Sequence, residues 1–127
     1  MRLIAFKSKI HRARVTEANL NYEGSVTVDA DLLDAADILP HEQVQILNLH
    51  NGERFETYAI RGPRGSGVVC LNGPSARLAQ VGDTILIVAY AAMEREELER
   101  HTPRIVHVDD RNRIVHAPVG SAPGGRG

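Results

Sequence analysis

Asn51-Gly52, set between two runs in which apolar and polar residues alternate, does more than any other dipeptide to limit the folds open to this chain. Both residues tolerate the positive φ that a tight hairpin turn demands, and alternation on either side marks strands with one buried face. Gln43 to Leu49 and Arg54 to Ile60 are therefore expected to pair antiparallel. The same alternation, interrupted by Gly, Pro, Asn and Asp, predicts further strands at Lys7 to Glu17, Ser25 to Val28, Gly67 to Leu71, Thr84 to Tyr90, Arg104 to Val108 and Arg113 to His116. Helical periodicity is confined to short pieces. Leu32, Leu33, Ala36 and Leu39 share one helical face between a capping aspartate and Pro40, so a helix is expected over Asp29 to Leu39. Pro74 to Ala79 suits a single turn opened by its proline, and Glu94 to Arg100 a charged second helix.

Many short strands and few helices in 127 residues predict a mainly β domain, a closed or nearly closed small barrel, over residues 1–116. Residues 117–127 have the glycine- and proline-rich makeup of a disordered tail. With 43% hydrophobic residues, 24% charged residues and a net charge of -1, the chain has the balance of an ordinary globular domain. The start has only four successive apolar residues, Leu3 to Phe6, and the longest apolar run is Ile85 to Met93, far short of the roughly 20 residues of a membrane-crossing helix. Cytoplasmic residence is the expectation, and Cys70, the sole cysteine, has no partner for an intramolecular disulfide.

Few local signals carry chemistry. The six histidines form no HExxH pattern and none pairs with Cys70 at ligand spacing, so no metal is expected. Arg61 to Gly67 looks like a phosphate-cradling loop but lacks the Lys-Ser/Thr pair, and reads as a plain loop. Five aromatics and no net positive charge argue against a nucleic-acid partner, although Lys7, Lys9, Arg12 and Arg14 on a small barrel keep that class open. Cys70, among Val68, Val69 and Leu71, reads as a small buried hydrophobe.

Asn21-Tyr22-Glu23-Gly24-Ser25 differs, because it reads as a peptide bond that can be broken from within. A serine hydroxyl can attack the preceding glycine carbonyl, given donors for the oxyanion and a glycine free to take an uncommon backbone conformation. Gly-Ser also occurs at Gly65-Ser66 and Gly120-Ser121, but only the first copy has Lys9, His11, Tyr22, Arg54, Thr57, Tyr58 and Asn72 as polar company.

These segments together resemble a known family. Lys7 to Thr16, Asn21 to Ser25, Asn51 to Tyr58, Arg64 to Gly67 and Leu71-Asn72-Gly73, in order and without gaps from about residue 7 to about residue 105, resemble the pyruvoyl-dependent aspartate 1-decarboxylases. The resemblance implies a six-stranded double-psi β-barrel, self-cleavage between Gly24 and Ser25 into residues 1–24 and 25–127, and a homotetramer with active sites between subunits. It also implies conversion of L-aspartate to β-alanine and CO2 for pantothenate synthesis, without metal or pyridoxal phosphate. By position, Ser25 would become the pyruvoyl group that forms a Schiff base with substrate, and Tyr58 the proton donor. Lys9, Arg54, Thr57, Gly73, Pro74 and Ser75 would bind substrate, while His11, Tyr22, Gly24 and Asn72 support the site or its processing. Pro74-Ser75 stand where the family usually carries alanines. A nucleic-acid-binding small barrel and an uncleaved, inactive relative are the alternative readings.

Overall fold

The computed structural model describes residues 1–115; the expected tail at 117–127 lies outside them, as does His116 at the end of the last predicted strand. Nine strands form one sheet: β1 (Arg2–Arg14), β2 (Glu17–Asn19), β3 (Ser25–Asp29), β4 (Gln43–Asn48), β5 (Arg54–Gly62), β6 (Val69–Asn72), β7 (Thr84–Glu94), β8 (Arg104–Val108) and β9 (Ile114–Val115). Helices are brief: α1 (Ala30–Ala36), a 3-10 turn (Gly73–Arg77) and α2 (Arg95–Arg100). The mainly β class is as expected, and β4 and β5 form the hairpin set by Asn51-Gly52, with Gly52 at φ 76°.

Strand order is β2-β6-β3-β5-β4-β7-β1-β8-β9, so the hydrogen-bond ladders leave an open sheet with β2 and β9 at its edges. The backbone itself nearly closes the ring. β1 continues within two residues into β2, and at this corner Thr16 N donates to Val69 O at 2.8 Å while Val69 N donates to Thr16 Oγ1 at 2.9 Å. Counting β1 and β2 as one bent strand gives a six-member circuit, with β8 and β9 added outside it. Inward-facing Ile10, Val26, Val28, Val44, Ile46, Leu71, Ile85 and Ile87 fill the interior. Each contributes about 1.5–3 kcal/mol by leaving water, which explains the alternation of burial along β4, whereas β6 is buried at all four positions.

The first helix is shorter than its apolar spacing predicts. It stops at Asp37, whose φ of 56° turns the chain left-handed, and Ile38 N returns to Leu33 O at 2.9 Å. Ile38 is thereby buried in place of Leu39, which is 66% exposed. The helix begins on Asp29, whose carboxylate accepts from Asp31 N at 2.8 Å and also from Gly65 N at 3.0 Å and Gly67 N at 2.8 Å. The amides of the glycine-rich loop thus enclose the protein's own carboxylate, which accounts for the loop's likeness to a phosphate cradle.

Burial alone would raise the Asp29 pKa; the N–H groups of Gly67, Asp31 and Gly65, aided by Arg64, overcome it and hold the carboxyl below its ordinary value. A depressed folded pKa contributes stability that is present above the unfolded value of 3.8 and lost as pH falls through the folded one. Asp29→Ala is expected to lower stability by about 1 to 2 kcal/mol at pH 7, the usual worth of a lost cap, with the difference from wild type shrinking below about pH 4. Urea unfolding at both pH values checks this, and an undiminished difference in acid would remove the ionised carboxylate as the cause.

Candidate active site

Cross-strand register builds the site. In the antiparallel β3–β6 pair Ser25 faces Asn72 and Thr27 faces Cys70, while Val26 and Val28 pair with Leu71 and Val69. The valine and leucine set points into the core, so Ser25, Thr27, Cys70 and Asn72 occupy the opposite, outer face as a block of four. The Asn72 amide ties the block together. Its Nδ2 donates to Ser25 Oγ at 2.9 Å and to Thr27 Oγ1 at 3.0 Å, and its Oδ1 accepts from Cys70 Sγ at 3.2 Å. Ser25 is buried, and its hydroxyl donates to Glu23 O at 3.4 Å, a long contact that leaves the proton weakly held.

The segment before Ser25 folds back over this block. The expected conformational licence belongs to Gly73 rather than Gly24, which is absent from the positive-φ glycines and where an added Cβ would meet only Pro74 Cδ at an ordinary 3.5 Å. Gly73 has φ 68°, and a Cβ there would lie 2.7 Å from Tyr22 O, 2.8 Å from Gly24 N and 2.9 Å from Gly24 Cα. Gly73 therefore lets the backbone that carries the Gly24–Ser25 bond pack directly on the end of β6. Gly73→Ala is expected to displace residues 22–24, slowing any cleavage at this bond at least about 10-fold and lowering the thermal midpoint. Time-resolved intact mass and a melting curve test both, and wild-type cleavage in the variant would show that the packing is irrelevant to the bond. Pro74 is exposed, Ser75 is buried, and Tyr22 is largely exposed.

Tyr58 lies one strand away. The parallel β3–β5 ladder matches Val26 with Ala59 and Thr27 with Ile60, so Tyr58 falls on the same face as Ser25. It is half-buried, with the His41 ring centroid 6.2 Å from its own. Arg54 alternates onto this face too, and its Nη2 donates to Gln45 Oε1 at 3.3 Å, an acceptor shared with Tyr90 OH at 2.9 Å. Thr57 alternates to the other face with Phe55 and Ala59.

Lys9 and His11 stand on the outer face of β1, which does not pair with β3: β5, β4 and β7 lie between them in one direction round the circuit, and β2 and β6 in the other. Among the described residues no hydrogen bond joins Lys9 or Arg54 to Ser25, whose hydroxyl is held by Asn72 while Arg54 bonds to Gln45. His11 packs edge-on against His107, with centroids 5.3 Å apart, and its buried Nδ1 has no hydrogen-bond partner among the described residues. Burial first, then the charges of Lys9, His107 and Arg12, lower its pKa and favour the neutral ring.

Two members of the block, Thr27 and Cys70, were not among the residues expected from sequence to serve the site. The i, i+2 spacing of Ser25 with Thr27 and of Cys70 with Asn72 signals a shared face, but only the register shows that the two pairs meet. Burial, reinforced by the Glu17 carboxylate, pushes the Cys70 thiol up, so that it remains a protonated donor.

Fold and site define a small, mainly β, barrel-like protein whose buried glycine–serine junction lies at the head of a strand. The sequence model of the aspartate decarboxylase family matches residues 1–115, and the chain belongs to that family. This match reaches further in both directions than the segments between residues 7 and 105 that carry the resemblance. Among curated relatives, the aspartate 1-decarboxylase of Pelotomaculum thermopropionicum is 58% identical over 127 residues, covering 100% of this chain and 96% of its own. That of Caldicellulosiruptor saccharolyticus is 60% identical over 115 residues, covering 91% and 90%, and that of Maricaulis maris 58% identical over 118 residues, covering 93% and 98%.

Proposed function

We propose that this protein is an aspartate 1-decarboxylase that converts L-aspartate to β-alanine and CO2, supplying pantothenate synthesis, with a pyruvoyl group made from its own Ser25. Near-complete coverage of relatives bearing that activity in their names supports the reaction. The observation that carries the cofactor assignment is the buried Ser25 Oγ, 2.9 Å from Asn72 Nδ2 and directly following the Gly24 peptide bond.

In self-processing, Ser25 Oγ bonds to the Gly24 carbonyl carbon, the Gly24–Ser25 C–N bond breaks, and the hydroxyl proton ends on the freed amine. Elimination then takes the Ser25 α-proton and expels Gly24 as a carboxylate, leaving dehydroalanine. Water hydrolyses this to the ketone and releases ammonia. Asn72 Nδ2 supports the first step by stabilising negative charge on Oγ. The residues fit the product, because the new group would head β3 within the same block of polar side chains. Once formed, the pyruvoyl group supplies an electrophilic carbonyl and an electron sink for decarboxylation.

The chain's other residues bind and protonate. Tyr58, on the face shared with Ser25, holds the proton delivered to the substrate carbon, while Lys9 and Arg54 take the two carboxylates and Gly73, Pro74 and Ser75 line the substrate together with the backbone of Thr57, whose side chain alternates to the opposite face. His11, Tyr22 and Gly24 shape the site. Within one chain Arg54 bonds to Gln45 and neither Lys9 nor Arg54 reaches Ser25 by a hydrogen bond among the described residues, which supports a homotetramer whose sites lie between subunits, with a neighbouring copy supplying cations. None of the described helices is long and apolar enough to cross a membrane, and the soluble substrate fits a cytoplasmic enzyme.

Intact mass under denaturing conditions, run beside a β-alanine assay, tests the reading. Residues 1–24 and a pyruvoyl-headed remainder, with aspartate turnover, are expected. Turnover by a wholly uncleaved chain would overturn the cofactor assignment.

A further inference from the structure

We propose that Cys70 is a positioning residue for self-processing: its thiol donates to Asn72 Oδ1 and so fixes the Asn72 amide with Nδ2 directed at Ser25 Oγ. The inference rests on the reading of Ser25 as the self-cleaving serine. An asparagine amide has nearly the same shape either way round, but one end donates and the other accepts. The two ends have opposite consequences here. With Nδ2 toward Ser25, the amide supports negative charge on the attacking Oγ; with Oδ1 toward it, a carbonyl dipole opposes that charge and takes up the hydroxyl proton.

The surroundings leave the choice to Cys70. Ser25 and Thr27 hydroxyls, 2.9 Å and 3.0 Å from Nδ2, each donate or accept, so they tolerate either orientation. Among the described residues the hydrogen bond to Oδ1 comes from the thiol, at 3.2 Å. Sulfur is a poor acceptor for an amide N–H, so the thiol as donor favours the orientation seen. Cys70 reaches this position through register alone: it shares the outer face of β6 with Asn72 and pairs across to Thr27, as Asn72 pairs to Ser25. Both side chains are buried, and water does not readily replace a lost partner of Oδ1.

The test follows self-cleavage of freshly purified full-length chain by intact mass at fixed temperature. Cys70→Ala is expected to slow cleavage about 3- to 10-fold, the worth of one neutral hydrogen bond. Cys70→Ser, whose hydroxyl can donate to Oδ1 but can also accept from Nδ2, is expected to restore the rate in part, to a value between the alanine variant and wild type. In an Asn72→Ala background Cys70→Ala is expected to have no further effect, since the residue acts through that amide. Where Cys70→Ala fails to fold, Cys70→Val keeps the buried volume and carries the same expectation. Wild-type rates in the alanine or valine variant, a serine variant as slow as they are, or a loss that persists without Asn72 would each overturn the proposal. A wild-type chain that never cleaves would instead overturn the self-processing reading on which it rests.

Discussion

Ser25→Ala should yield a single uncleaved chain that forms no detectable β-alanine. The variant loses one oxygen, and with it both the nucleophile for the Gly24 carbonyl and the atom whose departure creates the ketone. Folding should be little disturbed, because Ser25 makes one good hydrogen bond, to Asn72, and its neighbours Val26 and Val28 still anchor β3 in the core. An intact chain with normal melting but no turnover therefore isolates the chemistry from the fold. Aspartate decarboxylation by this variant would refute the pyruvoyl scheme as a whole.

Tyr58→Phe should separate the two reactions. Self-cleavage is expected to proceed, since the phenol has no hydrogen bond to the Ser25 block, whereas decarboxylation should fall about 100- to 10,000-fold, the usual range for loss of a positioned proton donor. The ring itself is retained, so its contact with His41 and its half-buried place on β5 should survive. Cleaved protein with feeble turnover is the expected pattern, measured as mass and β-alanine formation on one preparation. Undiminished kcat would transfer the proton to another group; a failure to cleave would move Tyr58 into processing.

Sequence made most of the strand pattern legible because alternation is a local property: Arg104–Val108 was readable residue for residue, and the hairpin at Asn51-Gly52 followed from turn chemistry. Ends were less legible. β1 begins at Arg2 and β7 runs on to Glu94 because the two strands pair along their length, from Arg2 opposite Glu94 to Arg14 opposite Thr84, a long-range contact that no local window contains. The site divides in the same way. Gly24-Ser25 was conspicuous as a dipeptide, and family resemblance supplied Tyr58, Lys9 and Arg54. The role of Gly73 as the residue that lets the junction pack, and of Thr27 and Cys70 around the Asn72 amide, depends on strands roughly 45 residues apart meeting in register.

The strand that runs from β1 into β2 lies wholly before the junction, yet β1 pairs with β7 on one side and β8 on the other, and β2 with β6. Breaking the Gly24–Ser25 bond would therefore release nothing: the short piece stays woven into the sheet. What changes is molecularity. A protein that unfolds as one chain before the cut unfolds as two afterwards, so refolding becomes a second-order encounter and the stability of the mature form rises with its concentration. On the proposed self-cleavage, the topology would set the assembly order, with the whole sheet forming first and its backbone opened only afterwards.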